Sequence, residues 1–229
     1  MSLAFSQPLP GRANGFSFPL EAVFHLESTI QVEQVADAAF PCRYGEFRIG
    51  GFRGQLNGKL HEIVTLRLGD FARPGPAPLV RIHSQCLTGE VFGSLRCDCG
   101  GQLALALERI SAEGRGLLIY DPQEGRGIGL LNKLMAYQLQ DEGADTVEAN
   151  ERLGFEADLR SYDLAVAVMR HFGLDRVRFL SNNPAKVQAL EEAGIAVEER
   201  VPCEVAPGHL SAGYLRTKKE KLGHLIEGL

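Results

Sequence analysis

Three cysteines within one short stretch carry the clearest chemistry in this chain. Cys86 ends the string Arg81-Ile82-His83-Ser84-Gln85-Cys86, and Cys97 and Cys99 lie in Ser94-Leu95-Arg96-Cys97-Asp98-Cys99-Gly100. A structural zinc site normally takes four protein ligands, whereas a catalytic one keeps three and leaves the fourth position to water. Here the local count stops at three. Cys42 and Cys203 lie far off and show no ligand spacing. Zinc at such an open site lowers the pKa of its bound water towards neutrality and so makes a hydrolytic nucleophile available. The bland alternative is three thiols packed as small apolar groups. Cys-x-Cys between Arg96 and a glycine pair is a poor core pattern.

Three further strings suit anions. Glu124-Gly125-Arg126-Gly127-Ile128-Gly129 follows a strand and opens a helix, so its backbone N–H groups can approach a phosphate. It is neither a dinucleotide fingerprint nor a P-loop, and glycines alone could make a tight turn. Arg126 favours a ligand role, because its planar fork suits phosphate or the Hoogsteen edge of a guanine. Asp158 and Arg160 lie two apart near a helix start, so one could serve as a base and the other as a phosphate clamp. Spacing alone reads their surroundings, with Asp145 to Asn150, as a solvated polar linker. Ser181-Asn182-Asn183-Pro184 with Lys186 repeats the strand–turn–helix geometry, and Lys186 could reach a terminal phosphate as a point charge.

These groups need elements to hold them. Phe47–Phe52, Glu62–Leu68 and Leu79–His83 read as strands separated by turn residues. Beyond Cys99 the period turns helical. Leu103, Ala106, Leu107 and Ile110 make one stripe, stopped by Gly114. A strand over Leu117–Tyr120, a helix over Leu130–Asp141 and a helix striped by Leu164, Val168 and Phe172 follow. Val177–Leu180 is a strand, Asn183-Pro184 caps a helix that ends at Gly194, and a strand begins at Ile195. The expected fold is therefore α/β: a single mixed domain, β-rich at the N-terminus, then alternating strands and helices.

Bulk properties exclude other classes. The 229 residues suffice for one well-buried domain. A net charge of −5 and the absence of tryptophan argue against a nucleic-acid surface or an anionic membrane surface. No apolar run nears the roughly 20 residues needed to span a bilayer. Five cysteines without a disulfide framework, and a start lacking a secretory pattern, lead us to expect a cytoplasmic protein.

The strings RIHSQCLTGEVFGSLRCDCGGQL, QEGRGIGLLNKLMAYQLQDEGADTVEAN, LGFEADLRSYDLA and SNNPAKVQAL resemble GTP cyclohydrolase II, the first committed enzyme of riboflavin synthesis. That resemblance implies zinc on Cys86, Cys97 and Cys99. It implies GTP contacts at Arg81, Ile82, His83, Ser84, Gln85, Gln102, Glu124, Gly125, Arg126, Thr146, Ser181 and Lys186. Asp158 takes the place of the proton acceptor, Arg160 that of the nucleophile, and Tyr137 that of an active-site tyrosine. Because arginine keeps its proton in essentially all proteins, we expect Arg160 to stabilise charge at the α-phosphorus instead. The implied reaction opens the guanine imidazole ring with loss of formate and separately releases pyrophosphate. Its product is 2,5-diamino-6-(5-phosphoribosylamino)pyrimidin-4(3H)-one. Magnesium with the triphosphate and a homodimer are implied as well. Residues 1–30 read as a loosely ordered extension and 31–229 as the catalytic domain. Gln85 replaces a usual glutamate, Pro122 a usual basic residue and Ser181 a usual threonine. These departures leave room for a paralogue with another substrate or a single hydrolytic step, or for a homologue that binds nucleotide without turnover.

Overall fold

In the computed structural model, which describes residues 30–206, 208 and 210–228, the apolar runs form one seven-stranded mixed sheet. Its strands are β1 (Val32–Cys42), β2 (Gly45–Leu56), β3 (Lys59–Leu68), β4 (Leu79–Ser84), β5 (Gly116–Asp121), β6 (Arg176–Leu180) and β7 (Ala196–Val201). Their spatial order is β1-β2-β3-β5-β4-β6-β7. β1, β2 and β3 form an antiparallel meander, β5 runs antiparallel to β3, and β5, β4, β6 and β7 are mutually parallel. The helices are α1 (Leu87–Glu90), α2 (Cys99–Glu113), α3 (Leu130–Asp141), α4 (Thr146–Arg152), α5 (Asp163–His171), α6 (Pro184–Glu192) and α7 (Ala212–Leu222). A 3₁₀ turn occupies Glu124–Gly127.

β4, β5 and most of β6 are buried on both faces, which is why they read as largely apolar runs, whereas the edge strand β7 is mostly exposed. Alternation sorts their side chains. Val80, Ile82, Leu117, Ile119, Val177 and Phe179 meet α5 and α6. Leu79, Leu118 and Leu180 meet Ala106, Leu107 and Ile110 of α2 on the opposite face. Arg81, His83 and Tyr120 fall on the α2 side of the same strands and bring polar groups towards the carboxyl ends of β4 and β5. The chain passes from β4 to β5 on one side and returns to β6 on the other. This reversal of winding opens a crevice beyond the carboxyl ends of β4, β5 and β6, the usual ligand position in an open α/β sheet.

The mixed α/β expectation is met, and α3 spans Leu130–Asp141 as the pattern predicts. Three elements differ from the sequence reading. The stretch from Asp145 to Asn150 is no linker: it starts α4, where Asp145 accepts from the Val147 and Glu148 N–H groups and Glu148 returns a bond to the Asp145 N–H. That reciprocal capping box was present in the sequence, but a polar composition obscured it. β1 was missed because it is an exposed edge strand carrying Pro41, with few β-branched residues. α7 was missed because it has no apolar stripe; it buries Leu215 and Lys218. Residues 1–29, nearly all of the expected extension, lie outside the described residues. Among those described, no helix is long and apolar enough to cross a membrane.

Candidate active site

Cys86, Cys97 and Cys99 converge just beyond the carboxyl end of β4, their sulfurs all within 4.8 Å of one another. The Cys86 and Cys97 Sγ atoms are 3.7 Å apart. Zinc bound tetrahedrally at about 2.3 Å from each thiolate requires sulfurs about 3.8 Å apart, so this donor set fits the ion in chemistry and spacing. No fourth Cys, His, Asp or Glu joins the group among the described residues. S–H donation from Cys97 and Cys99, then the Lys133 ammonium, lowers the Cys86 thiol far below its ordinary value. The Lys133 Nζ donates to Cys86 Sγ (3.1 Å), Thr88 Oγ1 (3.0 Å) and Glu124 Oε1 (2.8 Å).

Close backbone approach makes this convergence possible. A Cβ at Gly89 would lie 2.8 Å from Cys97 Sγ and 3.3 Å from Cys86 Sγ. Gly89→Ala is therefore expected to splay the thiols and weaken metal retention by about tenfold or more, since one-ångström errors around a metal cost on that scale. Zinc competition against a chromophoric chelator measures it, and unchanged affinity contradicts the close packing.

Around the trio runs a buried polar network. Arg81 donates from Nε to His83 Nδ1 (3.3 Å), so the remaining His83 proton on Nε2 points at Glu90 Oε1 (2.9 Å). Glu90 also accepts the Cys86 N–H (2.7 Å) and the Tyr120 hydroxyl (2.6 Å). Both His83 ring nitrogens are thus occupied, and the ring is 2% exposed. Burial pushes His83 from 6.5 down to about 4, against the opposing pull of Glu90. Between those values the unfolded chain binds the extra proton and the folded protein does not. The stability from neutral His83 is thus complete above pH 6.5 and lost as pH falls towards 4. The expected loss between pH 7 and pH 5 is on the order of 2 kcal/mol, and His224, lowered to about 3 chiefly by burial, adds in the same direction. Urea unfolding at the two pH values checks this; equal free energies would contradict it.

The cysteines form one wall of a cleft of about 1090 Å³. Seven lysine or arginine side chains line it against one carboxylate, Glu124, although the whole chain is acidic. Arg126 adopts a left-handed backbone (φ 61°), unfavourable for a side-chain-bearing residue, and the ends of its guanidinium are buried with no hydrogen-bond partner. A buried cation without an acceptor suits an anionic ligand. Arg160 accepts no such freedom. Burial disfavours its charge, but a two-point hydrogen bond to Asp158 raises its pKa further still. Its remaining amino group donates to Ser84 Oγ (3.2 Å). Lys186 is 6% exposed and donates to the Ile82 carbonyl (2.9 Å) and Ser84 Oγ (3.3 Å). Burial, with Arg160 and Arg81 nearby, holds its pKa well below that of an ordinary lysine.

The cleft brings together most of the residues named from the sequence: Arg81, His83, Ser84, Gln85, Gln102, Glu124, Gly125, Arg126, Tyr137, Thr146, Arg160, Ser181 and Lys186. Ile82 is in the core and offers only its carbonyl, while Asp158 stands behind Arg160. Sequence reasoning missed Lys133, Asn150, Tyr214, Lys218 and His224, which also line the cleft. For Lys133 the signal was its place one turn into the helix after the glycine run; the other four gave none.

The sequence profile of GTP cyclohydrolase II matches residues 33–202. The chain belongs to the GTP cyclohydrolase II family. It is 50% identical over 197 residues to GTP cyclohydrolase-2 of Shewanella pealeana, covering 86% of this chain and 93% of that protein. GTP cyclohydrolase-2 of Azotobacter vinelandii is 52% identical over 195 residues, 85% of this chain and 92% of its own. The riboflavin biosynthesis protein RibBA of Bacillus subtilis is 49% identical over 198 residues, 86% of this chain but 49% of that longer protein. As a GTP cyclohydrolase II family member the chain is a hydrolase, and its relatives carry names from riboflavin biosynthesis.

Proposed function

We propose that this protein hydrolyses GTP, opening the imidazole ring of guanine with loss of formate and cleaving between the α- and β-phosphates with loss of pyrophosphate. The product is the diaminopyrimidinone bearing ribosyl 5′-phosphate. One observation carries the reading: a thiol trio with metal-ligand spacing and a concentration of buried cations share a single cleft. Cys86, Cys97 and Cys99 would hold zinc, which supplies a Lewis acid and water of lowered pKa. Lys133, held by Glu124 and Thr88, offsets the negative charge of the thiolates.

Arg126, Lys186 and Arg160 neutralise the triphosphate, a magnesium–nucleotide complex in solution. Water adds at the α-phosphorus, the bond to the bridging oxygen breaks, and its electron pair leaves with pyrophosphate. In this step the Arg160 fork, fixed by Asp158, stabilises the growing charge. Asp158 keeps Arg160 protonated, so the guanidinium is a clamp and not an attacking group. The Tyr137 hydroxyl, 3.1 Å from Thr88 Oγ1, is held on the thiol side of the cleft, suited to orienting the base.

A homodimer is also part of this reading. Val91, Phe92 and Leu95 are exposed beside the cysteine loop, and Leu131, Leu134 and Met135 are exposed along α3. Arg96 ties the two segments together through Asp141 and the Tyr137 ring, giving one apolar face for a second copy. We place the protein in the cytoplasm, acting without nucleic acid or membrane.

The test incubates the protein with zinc, magnesium and GTP and assays formate and pyrophosphate separately. Both products in equal amounts support the reading. Formate alone would indicate a one-step paralogue, and tight GTP binding without either product would indicate a non-catalytic nucleotide-binding homologue.

A further inference from the structure

Tyr214, Lys218 and His224 line the same cleft as the cysteines, although they lie beyond residue 202, where the match to the family profile ends. α7 and the segment after it are fastened over the cleft at three places. Lys218 Nζ lies 3.0 Å from Asp98 Oδ1, Lys221 pairs with Asp145 and Glu148 of the α4 capping box, and the Leu225 N–H donates to the Asn182 carbonyl (2.9 Å).

The first of these contacts differs in kind from a surface ion pair. Lys218 and Asp98 are both nearly buried, at 10% and 7% side-chain exposure. Asp98 stands at the N-cap of α2, where an aspartate ordinarily accepts a backbone N–H. Its carboxylate makes no such bond. It turns instead to Lys218 and to the Gln102 amide (2.5 Å). Gln102 Oε1 accepts from Arg81 (2.7 Å), and from Arg81 the chain continues through His83 and Glu90 to the Cys86 N–H. A continuous series of hydrogen bonds thus starts on α7, passes through the residue between Cys97 and Cys99, and ends on the backbone of Cys86.

We propose that α7 is a wall of the reaction cleft and that Lys218 is a positioning residue which, through Asp98, sets the geometry of the Cys97–Cys99 turn around its metal. The inference rests on the zinc reading above. Lys218 touches none of the thiols in this role; it fixes the carboxylate that orients the turn carrying two of them. Groups that orient metal ligands from outside the coordination sphere commonly change metal affinity by about 10- to 100-fold when lost.

The experiment compares the zinc affinity of full-length wild type, Lys218→Met, Lys218→Arg, Asp98→Asn and the Lys218→Met/Asp98→Asn double variant by chelator competition, alongside thermal unfolding and steady-state kinetics. Lys218→Met is expected to bind zinc about tenfold or more weakly, with kcat falling while KM for GTP stays within about threefold. Lys218→Arg, which keeps the charge, should recover part of the affinity. The double variant should be no worse than the weaker single variant, because both interrupt one path. Zinc affinity of Lys218→Met within twofold of wild type overturns the proposal, as does simple addition of the two single effects. If Lys218→Met does not fold, Asp98→Asn carries the same comparison. Wild type that takes up no zinc sinks the metal reading itself; wild type and Lys218→Met binding zinc equally sink only this inference.

Discussion

Cys97→Ser protein is expected to leave purification without zinc and to release formate at less than about one thousandth of the wild-type rate. Serine is a hard, weakly acidic alcohol that does not ionise at neutral pH, so it cannot replace a thiolate in a soft donor set. Two remaining thiols cannot hold the ion against solvent. The fold should survive, because the three cysteines sit on the loop beyond β4 and at the start of α2, outside both large apolar clusters. Elemental analysis, circular dichroism and a formate assay on the same preparation decide the matter. Stoichiometric zinc in the variant, or formate release near the wild-type rate, would mean that the trio is not the metal site.

Arg160→Lys should spare zinc binding yet reduce pyrophosphate release by about 10²- to 10³-fold, the usual cost of one preorganised charge donor. The substitution keeps the positive charge but loses the fork. In the wild type that fork makes two side-chain bonds to Asp158 while a third donor reaches Ser84 Oγ. A lysine ammonium has no plane with which to hold both directions at once. If geometry and not charge is what matters, the formate and pyrophosphate yields will separate. An Arg160→Lys enzyme releasing pyrophosphate at the wild-type rate would remove Arg160 from the clamp. A phosphoramidate trapped on Arg160 of the wild type would instead make it a nucleophile, against the expectation from its strong pairing with Asp158.

The charge arrangement explains why the cleft can be highly cationic in an acidic protein. Its cations are stabilised in different ways. Arg160 and Lys218 each face a carboxylate, and Lys133 faces both Glu124 and a thiol. Lys186 leans on neutral oxygens, and the ends of the Arg126 guanidinium have no partner. Arg126 thus holds the least compensated charge in the free protein, and an anionic ligand would also favour the charged form of Lys186, whose pKa burial and neighbouring arginines depress.

Residue type and spacing alone determined much of this protein. The cysteine trio, the glycine turn with Arg126, the Asp158–Arg160 pair and the Asn183-Pro184 cap are local patterns, and local patterns survive in a linear reading because covalent geometry keeps their members close. The buried strands were legible for the same reason, since burial on both faces leaves a run of apolar residues. What the tertiary structure alone decided is which distant groups meet. His83 is held between Arg81 and Glu90, and Lys186 is buried with its ammonium on the Ile82 carbonyl and Ser84 Oγ. Lys218 reaches Asp98 across 120 positions of chain. Such meetings follow from the order β5-β4-β6, which gathers three strand ends at one crevice, and from a polar helix docked by its charges. Neither leaves a periodic trace, because an ion pair between remote segments constrains one residue on each and says nothing to its neighbours.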